Sequence, residues 1–98
     1  MKNIKIKKPW GSEELILLNK NYCLKKLKML KGHRCSLQFH KKKHETIYFL
    51  KGALKVIFGK NKKKLKEKIL KKNATIIIEP GVIHRIEAVK DAIYLEAS

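Results

Sequence analysis

The chain has 98 residues, of which 25 are Lys or Arg and eight are Asp or Glu, so its formal net charge is +17. This length predicts one small domain over residues 1–98, with one modest core. No apolar run approaches the roughly 18 residues of a membrane helix, and the N-terminus lacks the apolar segment of a signal peptide. The two cysteines do not resemble a disulfide framework, so we expect a reduced, cytoplasmic protein without a membrane partner.

The positive charge attracts anions in general, including nucleic acid, phosphorylated metabolites and acidic membranes. Lysine supplies nearly all of it, and the densest clusters, 41–43 and 62–64, lie beside turn signals. This distribution is typical of solvated loops. Because no motif interleaves aromatic with basic residues, we do not expect nucleic-acid binding.

Short alternating runs between turn residues predict strands along the whole chain. The predicted strands cover residues 4–7, 14–19, 22–30, 35–40, 44–50, 53–58, 65–70, 74–78, 84–89 and 92–97. Residues 65–70 also have helix propensity, but hairpin signals at both ends favour a strand. Nine or ten short strands without a predicted helix indicate an all-β sandwich or barrel.

Four side chains have the spacing of a metal site. Gln38 and His40 share one face of a predicted strand, and Glu45 begins the returning strand after a lysine-rich turn. His84 is the natural fourth ligand. This mixed nitrogen and oxygen set suits Zn, Mn, Fe, Ni or Co, and without thiolates it is not a closed structural zinc site.

The other two histidines do not fit this site. His33 lies in a turn, and His44 is out of phase with Glu45 on the same predicted strand. We interpret both as structural or solvated.

The spacing of these residues resembles the cupin motifs. Gly32, Gln38-Phe39-His40, Glu45 and Gly52 resemble the first motif, although its usual form has His where this chain has Gln38. The segment 80–84, PGVIH, resembles the second motif, with the proline shifted by one place and the usual terminal Asn replaced by Ala. KPWGSEELI, SLQFH and PGVIHRIEA together resemble the cupin domain of type II mannose-6-phosphate isomerases.

This resemblance implies a jelly-roll barrel, the double-stranded β-helix, and a divalent metal, foremost Zn²⁺, held by Gln38, His40, Glu45 and His84. It implies aldose–ketose isomerisation of a phosphorylated sugar, of the mannose 6-phosphate and fructose 6-phosphate type. Such domains often accompany a guanylyltransferase, for which 98 residues leave no room. Exposed strand edges at 4–7 and 13–19 predict a homodimer, since cupins commonly cover such edges by pairing.

Isomerisation requires a base and a group that holds the phosphate. Lys25 shares a face with Leu27 and Met29, and burial beside a metal would lower its pKa and make it a base. Arg85 is the candidate phosphate partner, because guanidinium matches phosphate geometry, although its neighbour His84 must point inward. Lys25 at the barrel mouth and an outward-pointing Arg85 are the alternatives. Trp10 is either a sugar-stacking residue or part of the core.

Other activities fit the same residues. One alternative is a metal-binding cupin of different chemistry, such as a small-molecule oxygenase. Another is a non-catalytic accessory domain that binds sugar phosphate. Gln38 in place of a histidine favours the isomerase-like zinc site over an iron oxygenase.

Overall fold

The computed structural model describes residues 3–98 as a single sheet of seven strands, all paired antiparallel. The strands are β1 (Ile4–Lys8), β2 (Gly11–Leu18), β3 (Cys23–Met29), β4 (Glu45–Gly59), β5 (Lys66–Leu70), β6 (Thr75–Ile78) and β7 (Ile83–Ala97). Residues 3–98 include no helix, and therefore none long and apolar enough to cross a membrane. The predicted all-β fold is confirmed, and so is the strand assigned to residues 65–70.

Two long strands organise the sheet. The strand order is β1-β2-β3-β7-β4-β5, and β6 pairs separately with β4. β4 and β7 pair from Thr46↔Ala97 to Gly59↔Ile83. Each replaces two predicted strands, because the expected turns at 51–52 and 90–91 are bends within continuous strands. Register shifts between Phe49 and Leu54 absorb the extra residues as bulges, which bend the strands without ending their pairing.

Gly52 makes the bend in β4 possible. Its φ is 96°, in the region that L side chains rarely adopt. A Cβ at this position would lie 1.9 Å from the carbonyl oxygen of Asp91 in β7. The two bent strands approach each other closely only because residue 52 has no side chain.

The predicted strand over residues 35–40 is wrong. This segment contacts the first half of β7 through isolated bridges, Arg34↔Glu87 and Gln38↔His84. At the second bridge the Gln38 N–H donates to the His84 carbonyl at 2.8 Å, and the His84 N–H donates back at 2.9 Å. Alternating residues predict a strand here, but the segment bonds to β7 only at intervals.

Alternating inward side chains build the core. In β4 the buried positions are Ile47 and Phe49 before the bulge and Leu54 and Val56 after it. The bulge therefore shifts the inward phase by one residue. Tyr94 of β7 lies opposite Phe49 and is fully buried. The buried polar residues of this core are Glu45 and His84, which lie where β4 and β7 begin.

Candidate metal centre

Three side chains converge where β4 and β7 begin. His40, Glu45 and His84 each offer one ligand atom, and these atoms lie within 4.8 Å of one another. The Nε2 atom of His40 lies 3.1 Å from Oε1 of Glu45, and Nε2 of His84 lies 3.4 Å from Oε2 of Glu45. This group could hold a metal ion.

The fold fixes these three residues from separate segments. Glu45 is the first residue of β4 and shares its inward face with Ile47. His84 is the second residue of β7. His40 lies in the segment before β4, where its carbonyl accepts a hydrogen bond from the Gly81 N–H at 2.8 Å. The Gln38↔His84 bridge ties the same segment to β7, so the backbone itself brings the two imidazoles together.

The positions of the histidine nitrogen atoms are compatible with a metal ion. Nε2 of His40 is buried and makes no hydrogen bond among the described residues, although a carboxylate oxygen lies 3.1 Å away. The two atoms do not have hydrogen-bonding geometry, so a cation would satisfy an atom that is otherwise orphaned. Nδ1 of His84 lies 3.1 Å from the Val82 carbonyl. If Nδ1 carries the proton, the lone pair of Nε2 faces Glu45, as in ligating histidines.

Glu45 and His84 each stabilise the charged form of the other. Burial alone would raise the pKa of Glu45, but its hydrogen bond and charge interaction with His84, together with Lys43, hold that pKa below its ordinary value. Burial alone would lower the pKa of His84, but Glu45 and the Val82 carbonyl raise it above its ordinary value. Lys43 reaches Oε1 of Glu45 at 3.3 Å. A metal would displace the proton that His84 otherwise shares with Glu45.

A small cavity of about 130 Å³ adjoins the centre. Three of the eight acidic residues of the chain, Glu13, Glu45 and Glu96, line it, against two of its 25 Lys and Arg residues, Lys25 and Lys43. The remaining lining residues are Trp10, Leu27, Cys35, Gln38, His84, Ile86 and Tyr94. The cavity is thus an acidic hollow in a basic protein, which favours occupation by a cation.

Comparison with known sequences places the chain in a family. A family model described as "Mannose-6-phosphate isomerase C-terminal" matches residues 1–96. The chain belongs to this family. The predicted resemblance to mannose-6-phosphate isomerase domains is therefore confirmed at the level of the family. No curated protein sequence matches the chain.

Solved structures show that this member of the mannose-6-phosphate isomerase C-terminal family has the cupin fold. A cupin-2 domain protein from Shewanella frigidimarina is 17% identical with a TM-score of 0.75, over 95% of this chain and 83% of that one. The hydroxypropylphosphonic acid epoxidase of S. wedmorenis is 18% identical with a TM-score of 0.82, over 99% and 55% of the two chains. A Bacillus subtilis oxalate decarboxylase is 17% identical with a TM-score of 0.85, over 97% and 27%.

The chain matches only part of the length of the two enzymes. The chain spans about half the length of the epoxidase and about a quarter of the decarboxylase. At these identities the likeness establishes the fold, and the predicted jelly-roll cupin is confirmed. Related structures contain Mn(II) centres in the decarboxylase and Fe(II) in the epoxidase.

Gln38, the fourth predicted ligand of this family member, lines the cavity beside Glu45 and His84. Its backbone bridge to His84 holds it next to the three converging side chains. Its role as a ligand stays a prediction.

Lys25 faces inward as its phase predicts, but its environment is not that of a base. Its Nζ lies 2.7 Å from Oε1 of Glu13 on β2. That hydrogen bond outweighs burial and raises the pKa of Lys25, which is the opposite of the predicted direction. The pairing with Glu13 on the adjacent strand β2 therefore favours the protonated form of Lys25.

Arg85 is not among the residues that line the cavity. Its Nε donates to the Cys35 carbonyl at 3.0 Å, so the side chain holds the segment before His40 against β7. Trp10 lines the cavity and also packs against the core. His44 lies 3.1 Å from Glu79 with both side chains exposed, outside the converging group, and His33 is also exposed.

Sequence reasoning missed three cavity residues, Glu13, Lys43 and Glu96. Inward positions of β7 are all even-numbered, from His84 through Tyr94, so the phase of His84 extended to Glu96 was the available signal. The expected turn at 90–91 concealed it. Glu13 could be placed in the cavity only from the β2–β3 register, and nothing in the sequence distinguished Lys43 from the neighbouring lysines.

Proposed function

We propose that the chain is a metal-dependent sugar-phosphate isomerase that interconverts an aldose and a ketose of the mannose 6-phosphate and fructose 6-phosphate type. One observation carries this proposal: His40, Glu45 and His84 converge beside a cavity in a chain whose family match spans residues 1–96. The acidic lining supports the same proposal, because a carboxyl group can serve as the general acid–base that isomerisation requires.

The metal would be held by His40, Glu45 and His84, with Gln38 as the fourth ligand. We propose Zn²⁺, which accepts this nitrogen and oxygen set; Mn²⁺, Fe²⁺, Ni²⁺ and Co²⁺ accept it as well. When bound, a divalent metal supplies a Lewis acid that polarises the oxygens of the substrate.

The size of the cavity limits which part of a sugar phosphate can enter it. Ligand sites usually measure roughly 300–1,000 Å³, and this cavity measures about 130 Å³. It therefore admits the reacting end of a sugar phosphate, with the phosphate outside. Lys43 lines the cavity with a side chain that is 39% exposed, and it is placed to meet an anion at the rim.

Metal analysis combined with an isomerase assay tests this function. Purified protein should contain about one divalent ion per chain, and it should convert mannose 6-phosphate to fructose 6-phosphate. Chelation should abolish conversion, and addition of Zn²⁺ should restore it. A metal-loaded protein without conversion would contradict the proposal.

The small cavity also favours a second candidate, a metal-dependent cupin acting on a smaller molecule. The fold is shared with an epoxidase and a decarboxylase, so the scaffold is compatible with other chemistry. Iron as the bound metal and oxygen uptake would support an oxygenase. Sugar-phosphate binding without conversion would instead support the accessory binding domain.

A further inference from the structure

Glu96 lies in the cavity at the end of β7, on the same inward face as Tyr94. Its partners across the sheet are Lys25 on β3 and Ile47 on β4. Glu45 is two residues from Ile47 on the same face, which makes it the diagonal neighbour of Glu96. Diagonal neighbours in a sheet are about 7–8 Å apart, and Glu96, Glu45 and His84 line the same cavity, so Glu96 lies on the cavity wall beside the candidate metal centre.

The other carboxyl groups, the ammonium groups and the thiol of the cavity are engaged. Glu13 binds the ammonium of Lys25 at 2.7 Å, and Lys43 approaches Glu45 at 3.3 Å. Cys35 accepts a hydrogen bond from the Ile86 N–H at 3.3 Å. Among residues 3–98, no side-chain hydrogen bond or ion pair engages the carboxyl group of Glu96. The inward face thus presents one carboxyl group without a partner.

The surroundings of Glu96 also suit proton transfer. Burial first, and then the charges of Glu45 and Glu13, raise its pKa above the ordinary value, while Lys43 and Lys25 oppose them. His84, Cys35 and Tyr94 complete the ionisable groups of the cavity. The pKa of Tyr94 is raised well above its ordinary value by burial, so Tyr94 does not compete as a base. Acid–base catalysis works best when the pKa of the group approaches the working pH.

We propose that Glu96 is the catalytic acid–base that carries the proton between the two carbons of an aldose–ketose substrate, an inference that rests on the proposed isomerase function. The carboxylate takes the proton from C2, and the electron pair of the C2–H bond forms the C1–C2 double bond. The π pair of the C1 carbonyl moves to its oxygen, which takes up a proton from water, and this gives the enediol.

The second half of the reaction reverses these movements. The hydroxyl group on C2 loses its proton and becomes the carbonyl, while Glu96 returns its proton to C1. The proton lost at one oxygen balances the proton gained at the other, so no oxidant or reductant is consumed.

The variant Glu96→Gln tests this role, with Glu67→Gln as the matched control on an exposed carboxylate of β5. Glu96→Gln should lower kcat for mannose 6-phosphate by about 10²–10⁴-fold, with KM and metal content unchanged. Glu96→Asp keeps a carboxyl group and should lose less. With substrate deuterated at C2, the isotope effect on kcat should increase in Glu96→Gln, because proton abstraction becomes limiting; a merely structural role would not change it.

Each outcome is decisive. Wild-type protein that isomerises while Glu96→Gln keeps its kcat overturns the role of Glu96 and leaves the proposed function intact. Loss of metal or of the fold in Glu96→Gln makes Glu96 a structural residue and also overturns the inference. Metal-loaded wild-type protein that does not isomerise sugar phosphates overturns both proposals.

Discussion

Replacing both His40 and His84 by alanine should abolish metal binding. His84 is 2% exposed, and Nε2 of His40 is buried without a hydrogen bond, so both imidazoles are already placed for a cation. The double variant keeps only the oxygen donors of Glu45 and Gln38. Metal content should fall from about one ion per chain to background, as measured by elemental analysis after dialysis.

Thermal unfolding gives the magnitude of this effect. A ligand at 100 times its Kd stabilises the folded state by about 2.7 kcal/mol. In a domain of this size that corresponds to a rise in Tm of roughly 10–20 °C. Wild-type protein should show this rise on addition of Zn²⁺, and the double variant should show none.

The other two histidines provide the control. His33 and the 67%-exposed side chain of His44 lie outside the converging group, so His33→Ala combined with His44→Ala should keep both the metal and the shift in Tm. Metal retained at the wild-type level in the His40→Ala and His84→Ala double variant would refute the assignment of the centre.

Three further predictions follow from the fold. Gly52→Ala should destabilise the protein by at least about 1–3 kcal/mol in urea unfolding, because its Cβ would overlap the backbone of β7. The control Gly32→Ala, at a φ of 82° with open space around it, should destabilise the protein less, and equal losses of stability would argue against the close approach of the two strands. With chelator present, Glu96→Gln should become more stable relative to wild type as the pH rises above 4.5, because the raised pKa of Glu96 makes the wild-type protein lose stability when this group ionises. A stability difference that stays constant across pH would contradict the raised pKa. Sedimentation should detect a homodimer through the outer edge of β1, where Ile6 is 44% exposed, and Ile6→Lys should weaken it; a monomer at all concentrations would exclude it.

Much of the fold follows from local alternation. The strand at 66–70 could be predicted because hairpin signals on both sides outweighed helix propensity. The two long strands could not be predicted, because 51–52 and 90–91 carry turn residues. In the fold, Gly52 packs against the backbone of Asp91, so each bend accommodates the other. This contact joins residues that are distant in sequence, so a short segment of sequence could not predict it.

The converging side chains of the candidate metal centre were accessible to sequence reasoning through local spacing. The phase of Glu45 is set within its own strand, and the motif spacing located His84 beside it. The partner of Lys25 was not accessible, because Glu13 meets it only through the β2–β3 register. A lysine in an inward phase predicts a lowered pKa only when no carboxylate lies opposite. For Arg85, side-chain alternation next to His84 predicted the outward direction, but no sequence pattern predicted its hydrogen bond to the Cys35 carbonyl.

The acidic cavity links the proposed metal to Glu96 through electrostatics. Carboxylates gathered in a half-buried space repel one another, and this chain places three of its eight acidic residues there against two lysines. Lys25 neutralises Glu13, and Lys43 approaches Glu45, but Glu96 is left without a side-chain partner among the described residues. A hydrophobic residue at position 96 would pack against Ile47 without this electrostatic penalty. A divalent cation beside Glu45 offsets the repulsion between the two carboxylates and so lowers the pKa of Glu96 in part, while burial, the largest cause of its raised pKa, remains. Metal loading should therefore reduce the pH dependence of stability that Glu96 causes in chelated protein, and thermal unfolding across pH with and without Zn²⁺ measures that coupling.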